Sequence, residues 1–226
     1  MLYYEGTQVH KEIIMQENSE TKQAVVDVYV ARIPSADDYP LPPEPIFPPQ
    51  RQAEIVACAS EKVRREKYFA WRLLLSAIEQ RLGVDPRQLQ FTKSENGKWL
   101  CDGVHFSLSH SDILVCVALS NQPVGVDVEP IRALKTQDFA LKILSEQELA
   151  DYHVTKENEQ SAYLLRAWTR KESLFKRLNH SGFFSSKPKD LQGFVVEHTL
   201  QVGNQQFALA VAADLPFEIE IHHFDF

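Results

Sequence analysis

Between Pro123 and Pro130 apolar and polar positions alternate: Val124, Val126 and Val128 against Gly125, Asp127 and Glu129. A period of two predicts a strand with one buried face, and it puts the Asp127 and Glu129 side chains on the same side of it. Similar β-branched or alternating runs stand at residues 25–33 and 104–109, while the apolar run from Ile113 to Leu119 reads as a buried strand. Leu89-Gln-Phe-Thr92 followed by the Asn96-Gly97 dipeptide reads as strand and turn. Residues 191–226 read as two or three more strands.

Spacing by threes and fours replaces alternation in three places. From Gln52 to Gly83, Ile55, Val63, Phe69, Trp71, Leu73, Leu74, Leu75 and Ile78 predict a helix that Gly83 ends as a C′ glycine. Thr136 to Tyr152 also reads as helix, with the form of a capped start at Ser145-Glu146-Gln147-Glu148. Ser161 to Leu178 carries Ala162, Leu165, Trp168, Phe175 and Leu178 near one stripe. Seven prolines between residues 34 and 50 predict a surface connector there. No repeat is visible. Each half holds a strong helix followed by strands, so the expected class is α+β, in two halves of residues 1–122 and 123–226.

Composition narrows the setting. The chain has 226 residues, 44% of them hydrophobic, and a formal charge of −7, which argues against non-specific nucleic-acid binding. Cys58, Cys101 and Cys116 are scattered and lack metal-ligand spacing, so they read as reduced thiols of a cytoplasmic protein. No apolar run is long enough to span a bilayer.

The candidate chemistry starts from the two carboxylates of the 123–130 strand. Held a few ångströms apart they repel, and a cation, nearby Lys and Arg, or a shared proton must offset this. The plainer alternative is a solvated polar face of an edge strand. Glu172 and Lys176, one turn apart on the last helix, add a third carboxylate and an ammonium, or else a routine surface pair. Three hard oxygen donors suit Mg²⁺ with its remaining positions left to water and phosphate. Ser109-His110-Ser111 is expected as a turn with hydroxyls, an imidazole and free N–H groups, a phosphate cradle. Lys62, Arg64, Arg65, Lys67 and Arg72 make the 52–83 helix basic on its polar side, as paired surface charge or as a phosphate-binding face.

Ser107-Leu-Ser-His-Ser111, Val124-Gly-Val-Asp-Val-Glu129 and Trp168-Thr-Arg-Lys-Glu-Ser173 with Lys176 resemble, in order and spacing, the signature motifs of the 4′-phosphopantetheinyl transferases. They are similar to the two-halved monomeric type that activates surfactin synthetase. The resemblance implies a pseudo-twofold pair of α+β halves with the site in the cleft between them. It implies transfer of the phosphopantetheine arm of coenzyme A to a serine of an apo acyl or peptidyl carrier protein, releasing 3′,5′-ADP. By the same resemblance Asp127, Glu129 and Glu172 would hold Mg²⁺, and His110, with Ser109 beside it, would contact the 3′-phosphate. Lys176 would neutralise the diphosphate. Arg72, with Arg64 or Arg65, and Lys98 would contact the nucleotide. Glu148, Glu172 or a metal-bound water would deprotonate the acceptor serine. Trp99 stands where the family usually has Pro after Gly-Lys. The rival readings are a coenzyme A-binding protein without transfer activity, a Mg²⁺-dependent phosphohydrolase, and a plain interaction domain.

Overall fold

The structure is a computed structural model that describes residues 24–42, 47–134, 137–178 and 191–226. The order of elements is β1 (Ala24–Arg32), α1 (Pro49–Val56), α2 (Glu61–Leu82), β2 (Phe91–Lys93), β3 (Trp99–Cys101), β4 (His105–Ser111), β5 (Leu114–Ser120), β6 (Val124–Pro130), α3 (Gln137–Ile143), α4 (Glu146–Val154), α5 (Glu157–Leu178), β7 (Phe194–Val202), β8 (Gln205–Ala213) and β9 (Phe217–Phe224). The α+β class holds. The part of the expected first strand region before residue 24, and residues 43–46 of the connector, lie outside the described residues.

Two sheets organise the chain. One runs β4-β5-β1-β9 and the other β6-β8-β7, while β2 and β3 form a separate hairpin. Alternation along β1 divides the core. Tyr29 and Ala31 join Phe69, Trp71, Leu74 and Ile78 of α2, whereas Val26, Val28 and Val30 join Val124, Val126 and Val128 of β6 and Leu209 and Val211 of β8. Every residue of β5 is buried because its two faces serve both clusters. That is why its sequence is an apolar run and not an alternation. β9 pairs parallel with β1, Val28 opposite Ile221, so residues 217–224 lie in the same sheet as strands drawn from residues 24–120.

Local chemistry explains where the elements differ from expectation. The stretch 52–83 is two helices, not one. Ser60 is extended and its hydroxyl accepts from Val63 N, which starts α2 afresh, and Gly83 closes it at φ 65°. Of the stretch expected at 136–152, Thr136 lies outside the described residues and the rest is likewise divided, because Ser145 and Glu148 form a reciprocal capping box that opens α4. Ser109-His110-Ser111 is not a turn but the end of β4, opposite Cys116, Val115 and Leu114. The reversal falls one residue later, at Asp112 with φ 57°, a conformation Asp tolerates better than most residues. The proline-rich connector is tied down by Arg65, which donates to the carbonyls of Pro34, Ser35 and Tyr39.

Candidate active site

The site forms where α5 crosses β6, and a glycine permits the crossing. A Cβ on Gly125 would lie 1.9 Å from Ser173 O and 2.5 Å from Arg177 N, so a side chain there is incompatible with the observed approach. The contact brings Glu172 and Lys176 of α5 over the polar face of β6. Lys176 Nζ lies 2.7 Å from Asp127 Oδ1, and Asp127 is buried. Its second oxygen, Oδ2, is buried with no hydrogen-bond partner among the described residues. Burial, then Asp127, raises the Glu172 carboxyl to about 7, with Lys176 opposing and Glu129 adding to the rise. Burial and Asp127 raise Glu129 as well. Three carboxylates thus face one ammonium. An unpartnered buried carboxylate oxygen beside two further carboxyls is a set of hard oxygen donors in mutual repulsion. The donor set fits Mg²⁺.

The oxygens are not drawn tightly together. Among the described residues the only trio of His, Cys, Asp or Glu with candidate ligand atoms all within 4.8 Å of one another is Asp27, Glu220 and His222. There Asp27 is already matched by Arg81 Nε at 2.7 Å and His222 Nε2 at 3.0 Å, which accounts for the cluster without an ion.

β4 meets β6 through its serines. Ser107 Oγ accepts from Val126 N, and Ser109 Oγ accepts from Val128 N while donating to Asp127 Oδ1 at 2.8 Å. Ser111 Oγ donates to Glu129 Oε2 at 2.8 Å. His110 points to the opposite face, where its Nδ1 lies 3.3 Å from Glu66 Oε2 on α2. Burial, then Lys176, Arg51 and Lys67, lower its imidazole to about 4, so it is neutral at pH 7. Burial raises Glu66.

The remaining cations divide. Arg72 lies between the rings of Tyr39 and Phe226, its guanidinium 5.2 and 5.8 Å from their centroids. Arg64 donates to Cys58 O, and Arg65 is buried and committed to the connector. Lys98 turns inward to Lys176 O at 2.7 Å and Val124 O at 3.4 Å, and burial with Lys176 lowers it to about 8. A cleft of about 340 Å³ lined by Asn96, Lys98, Trp99, Glu172, Phe175 and Lys176 opens beside the carboxylates. A larger cavity of about 670 Å³ lies under the connector, against Arg64, Tyr68 and Ile55, and none of the three carboxylates lines it.

Glu148 lies apart from that cleft, in its capping box. One oxygen accepts from Arg170 at 2.8 Å, and the other from Lys171 at 2.5 Å and Ser145 N at 2.8 Å. These contacts outweigh its partial burial and hold it at about 2. Lys171 also donates to Ile143 O, so it ties α5 to the end of α3 and the start of α4. The sequence reading gave Gly125 no role, and it set Ser111 and Lys171 on the phosphate side, whereas Ser111 holds Glu129 and the buried Lys171 is committed to Glu148 and Ile143 O. The glycine inside an alternating strand and the serines at the same period as the carboxylates were the available signals.

Residues 123–221 match the 4′-phosphopantetheinyl transferase superfamily. The chain is 31% identical over 128 residues to 4′-phosphopantetheinyl transferase Sfp of Bacillus subtilis, covering 52% of this chain and 57% of that protein. It is 34% identical over 130 residues to the gsp enzyme of Aneurinibacillus migulanus, covering 57% and 54%. It is 31% identical over 134 residues to AcpT of Salmonella typhimurium, covering 57% and 67%. The matched stretch spans little more than half the length of the first two. With these matches, and with the motif residues of β4, β6 and α5 gathered at one crossing, the chain belongs to the 4′-phosphopantetheinyl transferase superfamily.

Proposed function

We propose that this protein transfers the 4′-phosphopantetheine arm of coenzyme A to a serine of an apo acyl or peptidyl carrier protein, acting as a cytoplasmic monomer. No helix among the described residues is long and apolar enough to cross a membrane. The observation that carries the reading is the convergence of Asp127, Glu129, Glu172 and Lys176 where α5 crosses β6. Asp127, Glu129 and Glu172 would hold Mg²⁺, which, when bound, offsets charge on the diphosphate oxygens. His110 contacts the 3′-phosphate, with Arg72 and Arg64 alongside. Arg65 and Lys98, with their donors engaged by backbone carbonyls, hold the scaffold.

Of the two carboxylates, Glu172 suits the base. It lines the cleft beside Lys176, whereas both oxygens of Glu148 are occupied by Arg170, Lys171 and Ser145 N. The acceptor hydroxyl gives its proton to Glu172 as its oxygen bonds to the β-phosphorus. The bond from that phosphorus to the bridging oxygen breaks, and its electron pair leaves with 3′,5′-ADP. Lys176 offsets charge on the departing group.

The test is intact-mass spectrometry of an apo carrier protein incubated with the enzyme, coenzyme A and Mg²⁺. A carrier heavier by one phosphopantetheine, with equimolar 3′,5′-ADP, is expected. Hydrolysis of the diphosphate with an unmodified carrier would replace transfer with a phosphohydrolase. Coenzyme A bound and recovered intact would leave only a binding protein.

A further inference from the structure

We infer that Ser109 and Ser111 are positioning residues for the carboxylates of β6, and that Ser109 is not a ligand of the nucleotide. The inference rests on reading Asp127 and Glu129 as cation-holding carboxylates.

The register carries the argument. Serines 107, 109 and 111 repeat with period two along β4 and share one face, while His110 takes the other. Their partners repeat with the same period along β6. Ser109 bonds to Asp127 and Ser111 to Glu129, each across 18 residues, through hydroxyl–carboxylate bonds of 2.8 Å. A carboxylate on a strand turns freely about its terminal torsion unless something fixes it. Each hydroxyl fixes one oxygen: Oδ1 of Asp127, whose Oδ2 is the orphan, and Oε2 of Glu129.

Ser109 has no capacity left for a phosphate. A hydroxyl offers one proton and two lone pairs. The proton goes to Asp127, and the lone pairs accept from Val128 N at 3.3 Å and Lys176 Nζ at 3.1 Å. The residue is 4% exposed. A nucleotide contact would require breaking one of these bonds inside the fold.

Joining two strands is a sufficient reason for a serine, and Ser107 shows what that role alone looks like. It accepts from Val126 N at 3.0 Å as Ser109 accepts from Val128 N, but the β6 residue at the corresponding place is Gly125, which has no carboxylate. Ser107 is therefore the internal control.

The experiment measures Mn²⁺ affinity by EPR of the free ion, with no nucleotide present, and 3′,5′-ADP affinity by calorimetry in EDTA. Ser111→Ala is the main variant, since Ser111 is only partly buried and its partner, Glu129 Oε2, is a side-chain oxygen whose solvation survives the change. Partners of metal ligands typically change metal affinity ten- to a hundredfold. Ser111→Ala should therefore weaken Mn²⁺ about tenfold and leave metal-free 3′,5′-ADP binding unchanged, and Ser111→Thr, which keeps the hydroxyl, should restore Mn²⁺ affinity. Ser109→Ala should behave as Ser111→Ala does, while Ser107→Ala should lower the denaturation midpoint with Mn²⁺ affinity kept. If Mn²⁺ affinity is unchanged in Ser111→Ala, or Ser109→Ala weakens metal-free 3′,5′-ADP binding instead, the inference is wrong and the transfer reading stands. If the unsubstituted protein binds no Mn²⁺, both fall together.

Discussion

Gly125→Ala isolates the geometry of the crossing from its chemistry. The added carbon would sit 1.9 Å from Ser173 O, about 1.5 Å inside the ordinary contact range that begins near 3.4 Å. The obstructing atoms are helix backbone, which cannot rotate away as the end of a side chain can. Either α5 lifts or β6 bows. Overpacking of this kind costs roughly 1–3 kcal/mol, and the rigidity of a helix backbone places this case at the upper end. The displacement has a second effect, because Glu172 and Lys176 flank Ser173 on the helix that must move. Lys176 is held to Asp127 at 2.7 Å, and a shift of about 1 Å breaks that contact. Misplacement on that scale can lower turnover by about a hundredfold. Urea denaturation and steady-state transfer to an apo carrier protein give the two numbers. Turnover should fall by a larger factor than the remaining folded fraction explains. A Gly125→Ala protein with the parent's midpoint and turnover would refute the close approach and the argument built on it.

Other predictions follow from the same contacts. Because Glu172 has a raised carboxyl, the folded state keeps a proton that the unfolded state has lost between about pH 4.5 and 7, so its contribution to stability falls as pH rises through that window. Glu172→Gln should remove that part of the pH dependence while the parts of Glu129 and Glu66 remain, and denaturation in EDTA at pH 5 and pH 8 would show whether the parent weakens more than the variant at the higher value. The sign is opposite for Glu148, whose contribution is present above about 4.5 and is lost as pH falls toward 2. Lys171→Ala removes the partner of a largely buried ion pair and should cost roughly 3 kcal/mol, read from the urea midpoint; a cost under about 1 kcal/mol would mean Arg170 alone holds Glu148. His110→Ala should weaken coenzyme A about ten- to a hundredfold yet leave dephospho-coenzyme A, which lacks the 3′-phosphate, little changed. Equal losses against both would remove His110 from that contact.

The apolar periodicities carried most of the fold. Alternation placed β6, and the run at 113–119 placed the strand whose two faces are both covered. What periodicity could not see were interruptions made by single polar side chains. Ser60 and Ser145 each restart a helix inside a continuous helical pattern, because a hydroxyl that accepts a backbone N–H replaces the helical bond at that point. The site was legible as residue types and illegible as allegiances. Asp127, Glu172 and Lys176 do meet, but Glu148, Arg65 and Lys98 turn toward the scaffold. Nothing in the linear spacing separates a cation that waits for a phosphate from one that caps a carbonyl far away in sequence.

The parallel pairing of β9 with β1 sets an order of events during synthesis. β1 is made before β5 and acquires this antiparallel neighbour within about ninety residues of chain. Its other edge stays open until residues 217–224 emerge. Throughout that interval the nascent chain displays a row of unpaired N–H and C=O groups beside Val26, Val28 and Val30, the kind of edge on which other strands add. A fragment ending before Phe217 keeps that edge permanently. Cutting this protein into two separately produced pieces at residue 122 would therefore yield a first piece prone to self-association, with its missing strand carried on the other.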